Sequence, residues 1–160
     1  MRPQRFGIGQ PVRRVEDVRF VRGEGHYTDD YRPEGTAHAY VLRSPHAHAR
    51  FRIGDLAAAR AMPGVLMVLM HADVAHLGDV PCLAPVENAD GSTMKTPPYP
   101  LLCPDTVRHV GDAVAFVVAE TLLEARDAAE AIEVEWEPLD AVVGIGGAEA
   151  AVAQPVWPEV

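Results

Sequence analysis

The sequence predicts an α+β fold: a mixed sheet, two main helices and one long proline-rich loop. Three observations carry that prediction. Strand and helix periodicities alternate in the order strand, strand, helix, strand, loop, strand, helix, strand. Hydrophobic residues make up 48% of the 160 residues and charged residues 23%, the balance of a globular domain. The apolar runs are short, and none approaches the ~18 residues of a membrane span.

Each element has its own signal. Residues 1–35 are rich in Arg, Gly and Asp with weak periodicity, and read as an arm with short extended pieces. Thr36–Arg43 (TAHAYVLR) reads as a strand. Ser44-Pro45-His46 makes a bend. His48–Ile53 alternates, with Ala49, Phe51 and Ile53 on one face and His48, Arg50 and Arg52 on the other. Asp55 can cap a short helix, LAAARAM, that stops at Pro63-Gly64. Val65–Met70 (VLMVLM) is continuously apolar, the pattern of a strand covered on both faces. Ala72–Leu77 reads as a further helical turn.

Residues 78–104 form the proline-rich loop, with the polar stretch ENADGSTMKT inside it. A loop of that length is a functional element, an interface or a mobile segment. Val107–Val110 and Ala113–Ala119 then read as strand. Thr121-Leu-Leu-Glu124 is a capping-box pattern, and the helix behind it lines up Leu122, Ala125, Ala129 and Ile132. In EVEWE (133–137) Val134 and Trp136 alternate with three glutamates, and Pro138 ends the strand. The strand at Ala113, this helix and the strand at Val134 fit either a right-handed crossover or an α+β arrangement. From Gly144 the chain turns Gly/Ala-rich and finishes QPVWPEV, with an exposed-looking Trp157, in the manner of a linker.

Charge narrows the function. The net charge is −9, so no Lys/Arg stripe is available for phosphates, and a nucleic-acid partner is not expected. Lys95 is the only lysine; arginine therefore dominates the positive charge, and it suits fixed, bidentate ion pairs. The N-terminus MRPQRFGIG lacks an apolar signal region, so the expected location is the cytoplasm. Cys82 and Cys103 show no CxxC spacing and are expected as free, buried and inert thiols.

The chemical motifs each meet a plainer explanation. His38, His46 and His48 could share a metal, yet surface or interface histidines explain them as well. His26, Asp29 and Asp30 suit a cation, or a turn in which aspartates accept from backbone amides. Ser44 and Ser92 are the only serines, and neither lies in GxSxG. Gly7-Ile8-Gly9 and Gly144-Ile145-Gly146-Gly147 lack the strand and helix that a dinucleotide loop needs. Adjacent acids such as Glu16-Asp17 and Asp29-Asp30 point opposite ways on an extended chain. The residues alone indicate no catalytic, cofactor-binding or metal site.

Five blocks nevertheless occur in a recognisable order: RVEDVRFVRGEGHYTDD from Arg14, LRSPHAHARF from Leu42, PGV from Pro63, VRHVGDAVAFVVAE from Val107 and VEWEPLDAVV from Val134. Together they resemble the N-terminal α/β-hammerhead domain of the xanthine dehydrogenase/aldehyde oxidase family. The nearest type is the large subunit of aerobic carbon monoxide dehydrogenases and related molybdenum hydroxylases. The resemblance spans about residues 7–158. One departure is Gly111-Asp112-Ala113-Val114-Ala115 where the family commonly has GQPVA, an acid in place of a neutral amide.

The resemblance implies an arm over 1–35, a hammerhead domain over 36–143, and the start of a linker over 144–160 toward molybdenum-cofactor domains beyond this sequence. The family's cofactor loops and catalytic glutamate have no counterpart here, which suggests a fragment, a split gene or a truncated relic. The arm is expected to dock on those domains and on an iron–sulfur subunit through Arg14, Glu16, Asp17, Phe20, Tyr27, Asp29 and Asp30, with Val18, Phe20 and Tyr27 as anchors. The intact enzyme would carry molybdopterin, with Fe–S and FAD in partner subunits or domains, and would hydroxylate or oxidise a small substrate. This chain alone would be inactive. The alternative is a standalone or degenerate binding module.

Overall fold

The computed structural model describes residues 13–150 and 156–158. The Gly7-Ile8-Gly9 motif, the first-residue signal reading and Pro155 lie outside them. The chain divides into two compact units, Met1–Thr36 and Ala37–Val160.

In the first unit, charge spacing produces helix where extension was expected. Asp17–Val21 forms α1. Arg14 Nε donates to Asp17 Oδ1 at 2.9 Å, an i,i+3 pair, and Asp17 stands in the first turn, where the helix dipole favours an acid. Thr28–Asp30 is a single 3₁₀ turn, closed by Tyr27 N–H donating to Asp30 Oδ2 at 2.8 Å.

The second unit holds β1 (His38–Arg43), β2 (Ala49–Ile53), α2 (Ala57–Arg60), β3 (Val65–Leu69), α3 (His71–Val74), β4 (Thr106–Val107), β5 (Ala113–Ala119), α4 (Leu122–Glu130), β6 (Val134–Pro138) and α5 (Ile145–Ala150). A 3₁₀ turn, Ala75–Leu77, continues α3. The α+β reading holds. The strands divide between two three-stranded antiparallel sheets, ordered β1-β5-β3 and β4-β2-β6, in place of one mixed sheet. The stretch expected as strand at Val107–Val110 is only two residues of β4, and it joins a different sheet from β5.

The bend after β1 causes the division. Ser44, only 3% exposed, holds it: the hydroxyl accepts from His46 N–H and donates to His46 O, each at 2.9 Å. Ser44 N–H also donates to Asp112 O (2.8 Å), and Gly111 N–H donates to Ser44 O (2.9 Å). The chain therefore leaves one sheet at Arg43 and enters the other at Ala49. Because β5 and β6 fall in different sheets, the segment between them is no parallel crossover.

Two clusters make the core. The first packs β5 against α4 and α2 through small residues: Ala115, Ala119, Ala125, Ala128 and Ala129 are all 0% exposed, with Val68, Val117 and Ile132 beside them. Alanines let helix and strand approach closely. The second cluster is Ala49, Cys103, Val107 and Val114, with Phe51 and Trp136 against it. Leu42 packs on both clusters and joins them.

The helix caps follow the sequence. Asp55 Oδ1 accepts from Ala57 N–H at 2.9 Å at the start of α2. At α4, Thr121 Oγ1 accepts from Glu124 N–H (3.2 Å), while Thr121 N–H donates to Glu124 Oε2 (3.0 Å). Leu122 departs from its expected stripe: it is 54% exposed, and Ala128 takes its place in the core. β3 departs too. It is an edge strand with Leu66 at 55% and Met67 at 48% exposure, because an apolar run reports hydrophobicity but not position in a sheet.

The long loop carries structure of its own. A bridge pairs Glu87 with Thr93, and Gly91 (φ +81°) turns the chain between them. Asp90 accepts from the Ser92 hydroxyl at 2.6 Å and from Ser92 N–H at 2.9 Å, which holds its carboxyl below the usual carboxylate range. The loop ends buried, at Leu102 and Cys103.

Candidate functional site

The residues expected at an interface line the surface of the first unit. Arg14 and Asp17 pair with each other, and both side chains stay largely in solvent. Glu16 precedes α1 without a side-chain cap bond. Phe20 stacks on Tyr27, with ring centroids 5.5 Å apart and 15° between planes, and the Arg19 guanidinium lies 5.5 Å from the Phe20 ring centre. Gly25 makes room for that ring: a Cβ there would meet it at 2.5 Å. Asp29 contributes its carbonyl, which accepts from Arg32 Nε at 3.2 Å, and Asp30 its carboxylate, as described for the 3₁₀ turn. Of His26, Asp29 and Asp30, the two aspartates lie in the 3₁₀ turn, and Asp30 accepts the backbone amide of Tyr27. Val18 and Tyr27 are 60% and 66% exposed within this chain.

The three histidines of the metal hypothesis are engaged separately. His38 belongs to β1. His46 packs on Trp136 with centroids 5.2 Å apart, and His48 Nδ1–H donates to Asp140 O at 2.8 Å. Among the described residues no group of three or more His, Cys, Asp or Glu side chains is placed to hold a metal ion.

The candidate nucleophiles are similarly committed. Ser44 holds the bend and Ser92 the loop hairpin. Both cysteines are free, but Cys82 is exposed and only Cys103 is buried, which corrects the expectation for Cys82. Burial, and next the charge of Asp112, push the Cys103 thiol up to about 12, so it is held as a neutral thiol. Gly144 adopts φ +77° ahead of α5, serving a turn.

Asp112, the departure from GQPVA, is a structural centre. Its Oδ2 accepts from Arg108 N–H at 2.6 Å and His109 N–H at 3.2 Å, and its Oδ1 lies 2.8 Å from His109 Nε2. Beside this turn the Arg108 guanidinium lies 3.4 Å from the ring centre of Trp157, and its Nε donates to Val156 O at 3.3 Å. Trp157, which looks exposed in the sequence, is half-buried by that stack. Nothing in the local sequence links Arg108 to a residue so far along the chain.

Two small antiparallel sheets closed by alanine-faced helices are the architecture of the hammerhead class. Residues 22–140 match the family described as "Aldehyde oxidase and xanthine dehydrogenase, a/b hammerhead domain", and the chain belongs to that family. It is 39% identical over 137 residues to the nicotine 6-hydroxylase large subunit of Paenarthrobacter nicotinovorans, covering 85% of this chain and 16% of that protein. It is 38% identical over 137 residues to the carbon monoxide dehydrogenase large chain of Afipia carboxidovorans, covering 86% and 16%. The crystal structure of quinoline 2-oxidoreductase from Pseudomonas putida superposes with a TM-score of 0.76 at 42% identity, over 86% of this chain and 17% of that one. The chain thus spans about a sixth of the length of these relatives. No helix among the described residues is long and apolar enough to cross a membrane.

Proposed function

We propose that the chain serves as the hammerhead part of a molybdenum-hydroxylase large subunit. Its share of the work is shape, subunit contact and a wall for the substrate channel, not turnover. The observation that carries this reading is the match to one stretch of much longer large chains. In the assembly, molybdopterin belongs to the remainder of the large subunit, and Fe–S clusters and FAD to partner subunits or domains. Such cofactors supply the redox chemistry, and the surrounding protein supplies placement and exclusion of water. The arm from Arg14 to Asp30 is a docking element of this reading, supported by its exposed aromatic and ion-paired surface.

The test is recovery of the tagged chain from its native cell, with molybdenum measured in the purified material. Stoichiometric molybdenum in a complex with larger polypeptides supports the reading. Recovery of the chain alone supports a standalone binding module instead, and redox turnover by the isolated chain would end the proposal.

A further inference from the structure

The two sheets treat solvent in opposite ways. On the outward face of the second sheet, Arg50 and Arg52 stand opposite Glu137 and Glu135, with Arg50 Nη1 3.3 Å from Glu137 Oε1. Cross-strand charge pairs of this kind suit water. In the first sheet one face packs on α2 and α4. On the other face the register sets Val41 and Leu69 against Phe116, and Met67 against Val118. No charged residue interrupts those pairs.

That apolar face is bordered, among the described helical residues, by Val74 of α3 and Leu77 of the 3₁₀ turn after it, while α2 and α4 lie on the opposite face. The apolar face floors a groove of about 480 Å³, whose rim includes Leu77, Tyr99 and Leu101, themselves 65%, 57% and 41% exposed. Among the described residues Arg43 is the one charged residue lining it, and its guanidinium already donates to Gly111 O at 2.8 Å.

We propose that this face of the β1-β5-β3 sheet is the seat of the molybdenum-binding remainder of the large subunit. The inference rests on the function proposed above and assigns it a surface. Three arguments select the occupant. A small-molecule site places several polar groups among apolar walls, and here the single guanidinium is engaged within the chain. A transient partner tends toward a polar interface, whereas permanent interfaces resemble a core cut in half. Finally, the relatives carry this domain within polypeptides about six times as long, so in them a permanent neighbour is at hand. An acidic protein of net charge −9 that keeps one sheet face free of acids keeps it for burial.

Thiol labelling tests the assignment. In a Cys82→Ser background Cys103 stays silent, being buried with its thiol pushed up to about 12. Met67→Cys and Leu77→Cys place a thiol on the apolar face, and Glu135→Cys places one on the charged face as control. Maleimide uptake is read by mass spectrometry on peptides of this chain, in the free protein and in the molybdenum-containing complex. Met67→Cys and Leu77→Cys are expected to label at least about tenfold more slowly in the complex, with Glu135→Cys unchanged. Equal labelling of the apolar-face thiols in both states overturns the assignment while leaving the proposed function standing. Protection of all three sites alike also overturns it. Protection in the free protein that grows with concentration assigns the face to a second copy and overturns the proposal. Failure to obtain any molybdenum-containing complex overturns both inferences together.

Discussion

At Asp112 one carboxylate accepts two backbone N–H groups and meets the His109 ring, so three groups of the turn converge on one side chain. An asparagine amide can accept the same backbone bonds through its carbonyl oxygen; the acid adds charge attraction whenever His109 is protonated. Asp112→Asn is therefore expected to cost under about 1 kcal/mol, and Asp112→Ala about 1–3 kcal/mol because two N–H groups lose their acceptor. Urea unfolding of both variants checks the order. The neighbouring Cys103 makes a pH prediction. The folded chain keeps the thiol protonated to about 12 and the unfolded chain releases that proton at the ordinary value of 9.0. The unfolded state therefore binds fewer protons between those values, and stability is intact below pH 9 and falls as pH rises from there toward 12. Melting temperatures above pH 9 should decline less steeply in Cys103→Ala than in the parent. At this scale the alternations, the two caps and the Asp30 turn were legible in the sequence, because each depends on neighbours a few residues away. The Arg108–Trp157 stack was not, since it joins positions far apart in the chain.

Elements show where short-range signals stop. The capping box of α4 couples to the turn before β3: Glu124 closes on Thr121, and its carboxylate occupies the space a Cβ on Gly64 would need. Gly64 also adopts φ +74°. Gly64→Ala is expected to destabilise by more than about 1 kcal/mol, and Thr121→Ala by about 1 kcal/mol. Both disturb one carboxylate, so the double variant should fall short of the sum, which a double-mutant cycle in urea measures. Simple additivity would separate the two sites. The periodicity of α4 identified Ala125, Ala129 and Ile132 but placed Leu122 in the core, where Ala128 lies instead. The run VLMVLM located β3 correctly, yet its edge position depends on strands elsewhere in the chain. In the arm, the Arg14–Asp17 spacing marks a helical turn, but five residues of helix are too few for periodicity to reveal.

For the whole molecule the decisive property is which surfaces are finished. The Arg14–Asp17 pair is exposed, and such pairs contribute little to folding. If the arm docks as proposed, Arg14→Ala and Phe20→Ala each weaken association with the rest of the large subunit by more than about 1 kcal/mol, as titration of the separate pieces would measure. Undiminished affinity would remove the arm from the interface and leave its pairs a purely local role. The order of the five motif blocks was enough to place the chain among hammerhead domains, and the sequence by itself determined the α+β class, the caps, the inward faces of β2 and β6, and the family. These depend on periodicity and on residue types at short spacing, which one chain displays directly. Only the tertiary structure decided that the strands form two sheets, that β3 is an edge, that Asp112 organises a turn, and that one sheet face is charged while the other is apolar and open. Each of those facts is a pairing between residues far apart in the chain, and hydrophobic burial constrains such pairings without specifying which partner is chosen.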